Sequence, residues 1–110
     1  MKMYRNLYEK PGWYMNDSNF PIQFGIHNCD IPIGPAHFHR TMHEYFFIIQ
    51  GKVKLSVQGR HISLEKGDLL VINPGEVHEM VSRSSDAEYV LLLPAPVPND
   101  KVEVDNTKYG

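Results

Sequence analysis

The 110-residue sequence predicts an all-β domain, on three observations. Polar and apolar residues alternate with the period of two that a half-buried strand requires, most clearly in Lys52-Val53-Lys54-Leu55-Ser56-Val57-Gln58 and Arg60-His61-Ile62-Ser63-Leu64. Turn residues punctuate the chain between such stretches, at Gly51, Gly59 and Pro74-Gly75. No stretch sustains the apolar period of an amphipathic helix.

The elements follow in chain order. Phe20-Pro21-Ile22-Gln23-Phe24-Gly25-Ile26 alternates, and Pro21, which has no N–H to give a ladder, assigns it to a sheet edge or barrel rim. In His37-Phe38-His39 the two imidazoles lie two residues apart, so on a strand they share a face and can converge on one ion. After a short turn comes the apolar run Tyr45-Phe46-Phe47-Ile48-Ile49-Gln50, ended by Gly51, in which Glu44, Phe46 and Ile48 share the core side. A bare carboxylate there is costly unless it is protonated, paired or bound to a cation. Phe47 and Ile49 point the other way and must be covered by a second sheet, the N-terminal arm or a partner. The two alternating stretches joined at Gly59 read as a hairpin. Asn73-Pro74-Gly75-Glu76-Val77 is a turn, since Pro fixes φ and Gly allows φ > 0; from it His78 opens a strand with Met80 and Ser82 on its face. Tyr89 to Leu93 is a continuous apolar run and reads as a strand buried on both faces.

His37, His39, Glu44 and His78 thus sit in two short segments with the spacing of a metal site built on β-strands. These segments resemble the two signatures of the cupins. The first, His-x-His, four residues, Glu, six residues, Gly, is matched by His37, His39, Glu44 and Gly51. The second, Gly, a short strand, a Pro-Gly turn, two residues and His, is matched by Gly67, Leu69 to Ile72, Pro74, Gly75 and His78. Ile31 stands where the family has a Gly six residues before the first His, and Ser82 where an Asn often follows the last; neither is a ligand position. The resemblance spans about residues 34 to 93. It implies a double-stranded β-helix, or jelly-roll barrel, in which closure protects strand edges.

Length and composition bound the rest. One core fits 110 residues, and no repeat suggests a second barrel. Residues 1–19 form an arm whose Tyr4, Tyr8, Trp13 and Tyr14 carry too much aromatic surface for water, so it packs on the barrel exterior or on a second subunit, and a homodimer is expected. Residues 20–93 form the barrel. Residues 94–110, with Pro94, Pro96 and Pro98, read as an extended surface tail, disordered near Tyr109. A net charge of −2 with mixed signs offers no stripe for nucleic acid. The longest apolar run is far short of a membrane span, and the N-terminus lacks the apolar stretch of a signal peptide. The lone Cys29 cannot form an internal disulfide, which fits a reducing cytoplasm; it reads as a small buried or loop thiol.

Three imidazoles and a carboxylate leave one or two positions open on a five- or six-coordinate ion, where substrate or water can bind. The set lacks a thiolate, so the expected cofactor is a divalent metal ion: Zn, Fe, Mn or Ni, with cobalt also possible. Such a centre attracts an anionic oxygen donor, polarises a carbonyl or stabilises an enediolate. The expected ligand is a small oxygenated, anionic molecule. Phe46, Ile48, Met80, Ser82 and His43 are the candidate pocket residues, although His43 is out of phase with Glu44 and reads first as a rim histidine. His27 and His61 lie outside both segments and read as surface or hydrogen-bonded histidines. No motif assigns a catalytic acid or base; His43, Tyr45, Ser82 and Tyr89 are candidates by type, as are Arg40 and Arg60 for a substrate carboxylate. The resemblance implies a metal-dependent enzyme of isomerase, cyclase or dioxygenase type. Two alternatives stand beside it. The segments also resemble the sensor barrel of sugar-responsive transcription regulators, which here would require a separate DNA-binding partner, and Phe38, Met42 and Phe46 are bulky enough to close the pocket of a structural barrel with an inert ion.

Overall fold

The computed structural model describes residues 1–17 and 19–104, so the expectation at Tyr109 lies outside the described residues. A 3₁₀ turn, Leu7–Glu9, precedes ten strands: β1 Gly12–Tyr14, β2 Ile22–His27, β3 His37–His39, β4 Glu44–Gln50, β5 Lys52–Val57, β6 Arg60–Glu65, β7 Leu69–Ile72, β8 His78–Arg83, β9 Glu88–Pro94 and β10 Lys101–Glu103. They form two antiparallel five-stranded sheets, ordered β1-β2-β9-β4-β7 and β10-β3-β8-β5-β6.

The core lies between the sheets. Val53, Leu55, Val57 and Leu64 come from one sheet; Phe46, Ile48, Ile72, Tyr89 and Leu91 come from the other. Burying each such side chain is worth about 1.5–3 kcal/mol. In β4 the alternation is clean, with Glu44, Phe46 and Ile48 buried and Tyr45 and Phe47 exposed. The β5–β6 hairpin turns through Gln58 and Gly59, both at positive φ (52° and 76°), the type I′ geometry that matches strand twist. Gln58 also bonds across to Val77, donating its N–H to the Val77 carbonyl and accepting the Val77 N–H at Oε1, each at 2.7 Å. That tie holds the loop that leads into His78.

Four expectations are corrected by the structure. The segment with Pro21 is not an edge: Pro21 stays outside the ladder, β2 starts at Ile22, and β1 of the N-terminal arm pairs along its free side. The arm is therefore part of the sheet, and Trp13, still 36% exposed, sets its ring edge-on against His27. The tail after Pro94 is not wholly a surface segment, because β10 pairs with β3 and buries Asp100 to 2% exposure. Finally, β9 is not buried on both faces: Tyr89, Leu91 and Leu93 are buried while Val90 and Leu92 are half-buried, since no layer among the described residues fully covers the outer face of that sheet. On the same face Tyr45, Phe47, Leu69 and Val71 lie side by side through the β4–β7 register, each at least 36% exposed.

Candidate metal centre

Each ligand is placed by a local feature of the chain. His37 pairs directly with His78 across β3 and β8, and their rings approach to 4.4 Å. His39 lies two residues along β3 on the same face, and Glu44 opens β4 in the opposing sheet. The Pro74-Gly75 turn is hooked to β3 by the Gly75 N–H, which donates to the His39 carbonyl at 2.7 Å, while the Glu76 carboxylate accepts the Asn73 N–H at 2.7 Å. His39, Glu44 and His78 are 5%, 4% and 2% exposed, and one donor atom from each of the four residues lies within 4.8 Å of every other. Opposite ligands about 2.1 Å from one ion are about 4.2 Å apart, so a small inward movement seats an ion among them.

The hydrogen bonds decide which imidazole nitrogens face the centre. His37 Nδ1 lies 3.0 Å from the Pro35 carbonyl, and His78 Nδ1 lies 2.9 Å from the Glu76 carbonyl. His39 Nδ1 lies 3.2 Å from an Asp100 carboxylate oxygen. Carbonyl and carboxylate oxygens only accept, so each Nδ1 carries the proton and each Nε2 is left as a bare lone pair. Nε2 of His39, Nε2 of His78 and Oε2 of Glu44 are buried without a hydrogen-bond partner among the described residues. The nearest approaches between them, 3.8 Å from His39 and 3.6 Å from His78 to Glu44 oxygens, are too long for hydrogen bonds. Three lone pairs and one anion converging with no proton between them fit a divalent cation, and nitrogen and oxygen donors without thiolate suit first-row metals.

The electrostatics agree. Burial pushes the His37 imidazole down to about 4, against the opposing pull of the Pro35 carbonyl, so this ring is neutral at physiological pH. For His39 burial also disfavours charge, but Glu44 and then Asp100 outweigh it and its pKa rises. Burial works to raise Glu44, yet the imidazoles of His39 and His78 hold it at about 2. The cluster thus keeps an ionised carboxylate in a buried site, and the positive charge it requires would come from a bound ion or, without one, from a proton on His39.

The cluster opens into a cavity of about 440 Å³. Of the candidate pocket residues, Phe46 and Met80 line it, and Met42 joins them without closing it. Ile48 does not: it is fully buried in the core, further along β4. His43 is exposed on the rim. Ser82 is turned to solvent by a bulge. Lys54 pairs with Ser82 but Leu55 pairs with Met80, so Val81 is skipped and the alternation of β8 reverses. Arg83 takes the inward place instead, where it donates to the Tyr89 hydroxyl at 2.9 Å and to the Ile31 carbonyl. Tyr45 faces out, and neither Arg40 nor Arg60 lines the cavity; the cation there is Lys101.

Two cavity residues escaped the sequence reading. His27 is not a surface histidine: it is 8% exposed, its Nε2 has no hydrogen-bond partner among the described residues, and its ring meets Trp13 edge-on at 5.4 Å. Burial lowers its pKa, with Glu44 opposing and Arg83 reinforcing the shift. Gly25 makes room for this pair, since a Cβ there would lie 3.1 Å from both His27 Nε2 and the Trp13 ring. Nothing in the local pattern marks either residue, because the β1–β2 pairing that brings them together is non-local. Cys29 is exposed, its thiol donating to the Ser84 carbonyl at 3.2 Å.

A two-sheet antiparallel barrel with a His/His/Glu/His cluster at one end defines a cupin-type domain. The chain belongs to the cupin family, whose domain model, described as "Cupin domain", matches residues 31–93. Among curated proteins there is no match. Solved structures with this fold include a conserved protein with a double-stranded β-helix domain from Klebsiella pneumoniae (15% identity, 86% of this chain and 83% of that one, TM-score 0.66). A cupin protein from Bacteroides fragilis is 23% identical over 100% of this chain and 93% of its own, with TM-score 0.64. A variant of Streptomyces Pac13 with uridine is 18% identical over 94% and 92%, with TM-score 0.60; Pac13 is described as a nucleoside dehydratase. Likeness at these identities establishes the fold. Among the described residues no helix is long and apolar enough to cross a membrane.

Proposed function

We propose that this chain is a small metal-dependent enzyme, of isomerase, cyclase or dioxygenase type, acting on a small oxygenated and anionic molecule at the centre formed by His37, His39, Glu44 and His78. The observation that carries the reading is the convergence of unpartnered Nε2 and carboxylate atoms at the wall of an open cavity. A divalent ion held there would act as a Lewis acid, polarising an oxygen of the substrate and stabilising negative charge that develops on it. The chain's own groups fit the remaining tasks. Lys101 offers a positive charge to an anionic substrate, and Phe46, Met80, Leu91 and Leu93 supply an apolar wall that keeps water from the reacting region. His27 Nε2 and the Tyr89 hydroxyl are polar groups on the cavity side able to hold or move a proton. Burial raises the Tyr89 pKa, with Arg83 opposing, so the phenol stays protonated and able to donate. That Pac13 is a nucleoside dehydratase supports chemistry in a barrel of this size.

The test is access to the metal. Protein loaded with Co²⁺ is titrated with oxalate, a small anionic chelator, and the visible spectrum is followed. Saturable spectral change supports a centre open to substrate, whereas a spectrum indifferent to oxalate contradicts it and favours an inert structural ion. Binding of small oxyanions with no turnover across isomerase, lyase and oxygenase assays would move the reading to a ligand-binding barrel.

A further inference from the structure

We infer that Asp100 is a positioning residue for the metal centre: its carboxylate keeps the proton of His39 on Nδ1 and so presents the Nε2 lone pair to the ion. The inference rests on the reading of His37, His39, Glu44 and His78 as ligands. Its ground is that Asp100 comes from the tail, 61 residues beyond His39, delivered by β10 through the Lys101–His39 register.

A carboxylate buried to 2% exposure needs donors, and among the described residues Asp100 takes its side-chain donors from His39 and Thr41. One oxygen, Oδ1, accepts both the Thr41 N–H at 2.8 Å and the Thr41 hydroxyl at 2.6 Å. The other, Oδ2, faces His39 Nδ1 at 3.2 Å. The Asp100 carbonyl also accepts the Arg40 N–H at 2.9 Å, so side chain and backbone are both clamped to the strand end that carries His39. His37 and His78 are oriented differently, each by a neutral carbonyl two residues before it. Only His39 has a charged acceptor, and a charged acceptor makes an imidazole a stronger ligand.

The clamp makes the two obvious substitutions diverge. In Asp100→Asn the position facing Thr41 must be the amide oxygen, because an NH₂ there would meet the Thr41 backbone hydrogen, which cannot turn away as the hydroxyl can. The NH₂ then faces His39 Nδ1, which has to accept, and the ring proton moves to Nε2, where it blocks the ion. Asp100→Ala removes the acceptor and the Thr41 anchor but imposes no tautomer. A purely structural aspartate predicts that alanine does more harm; a positioning aspartate predicts that the nearly isosteric asparagine does more harm to metal binding.

The experiment measures Zn²⁺ affinity of the full chain by competition with a chromophoric chelator, for wild type, Asp100→Asn and Asp100→Ala. Loss of outer partners of metal-bound histidines costs about 10- to 100-fold in affinity; we expect asparagine near the upper end and alanine near the lower. In the zinc-free protein, long-range ¹⁵N–¹H spectra recorded at alkaline pH, where the ring is neutral, should show His39 as Nδ1–H in wild type and Nε2–H in Asp100→Asn. If Asp100→Ala fails to fold, the asparagine variant and its tautomer still decide the matter. Wild-type zinc affinity and an unchanged Nδ1–H tautomer in Asp100→Asn would overturn the role of Asp100 alone. A wild-type chain that binds no zinc would instead overturn the ligand reading, and this inference with it.

Discussion

Replacing Gly51 with Ala tests whether the first signature segment is constrained by the backbone as well as by its ligands. Gly51 follows β4 at φ +75°, a conformation that costs an L-residue about 1–2 kcal/mol. The space is also taken. A Cβ would lie 2.5 Å from Ser84 Oγ and 2.8 Å from both the Ala87 Cα and Asp86 Oδ1. These atoms cannot step aside freely, because Ser84 Oγ accepts the Lys52 N–H at 2.9 Å and donates to Asp86 at 2.7 Å, and Ala87 is 1% exposed. Overpacking of this kind costs about 1–3 kcal/mol, so the two terms together give a loss of about 2–5 kcal/mol. Against a total stability of about 5–15 kcal/mol this is large, and urea denaturation followed by circular dichroism measures it as a lower midpoint at unchanged slope. A loss under about 0.5 kcal/mol, the scale of an ordinary surface substitution, would refute the packing argument.

Two further outcomes follow from residues outside the ligand set. His27 has a pKa below its unfolded value, so the unfolded chain binds more protons and stability falls as pH drops through about 6.5; Glu44 and Arg83 are the charged groups acting on it. His27→Phe should therefore show a smaller fall in melting temperature between about pH 7 and pH 5 than wild type, and parallel profiles would contradict this; His37 contributes with the same sign and His39 with the opposite sign in both proteins. The homodimer expected from the sequence remains a proposal, for which the exposed Tyr45, Phe47, Leu69 and Val71 on one sheet face offer the contact surface. Light scattering should give twice the chain mass for wild type and the chain mass for Phe47→Glu, and a wild-type monomer at all concentrations would rule the proposal out.

What the sequence made legible was what period and spacing encode. His37 and His39 two apart, Glu44 in phase with Phe46, and His78 after a Pro-Gly turn are local patterns, and the sheets bring those four side chains together. Ser82 went wrong for the same reason that His78 and Met80 went right: period two holds until a bulge, and no residue near Val81 announces the extra position. Asp100, Trp13 and His27 reach the site region through β10–β3, β1–β2 and β2–β9 pairing respectively. The three-residue strands β1 and β10 carry too few alternating positions to stand out, whereas the equally short β3 is legible because its two histidines mark a shared face.

The central claim is that His37, His39, Glu44 and His78 hold a divalent metal ion. It is tested most directly by elemental mass spectrometry of untagged protein purified without added metal or chelator, beside a variant carrying Glu44→Gln and His78→Ala. The account predicts near-stoichiometric Fe, Mn, Ni or Zn in the wild type and none in the variant, with the β circular dichroism of both alike. Absence of metal from both proteins, or equal metal in both, would contradict it.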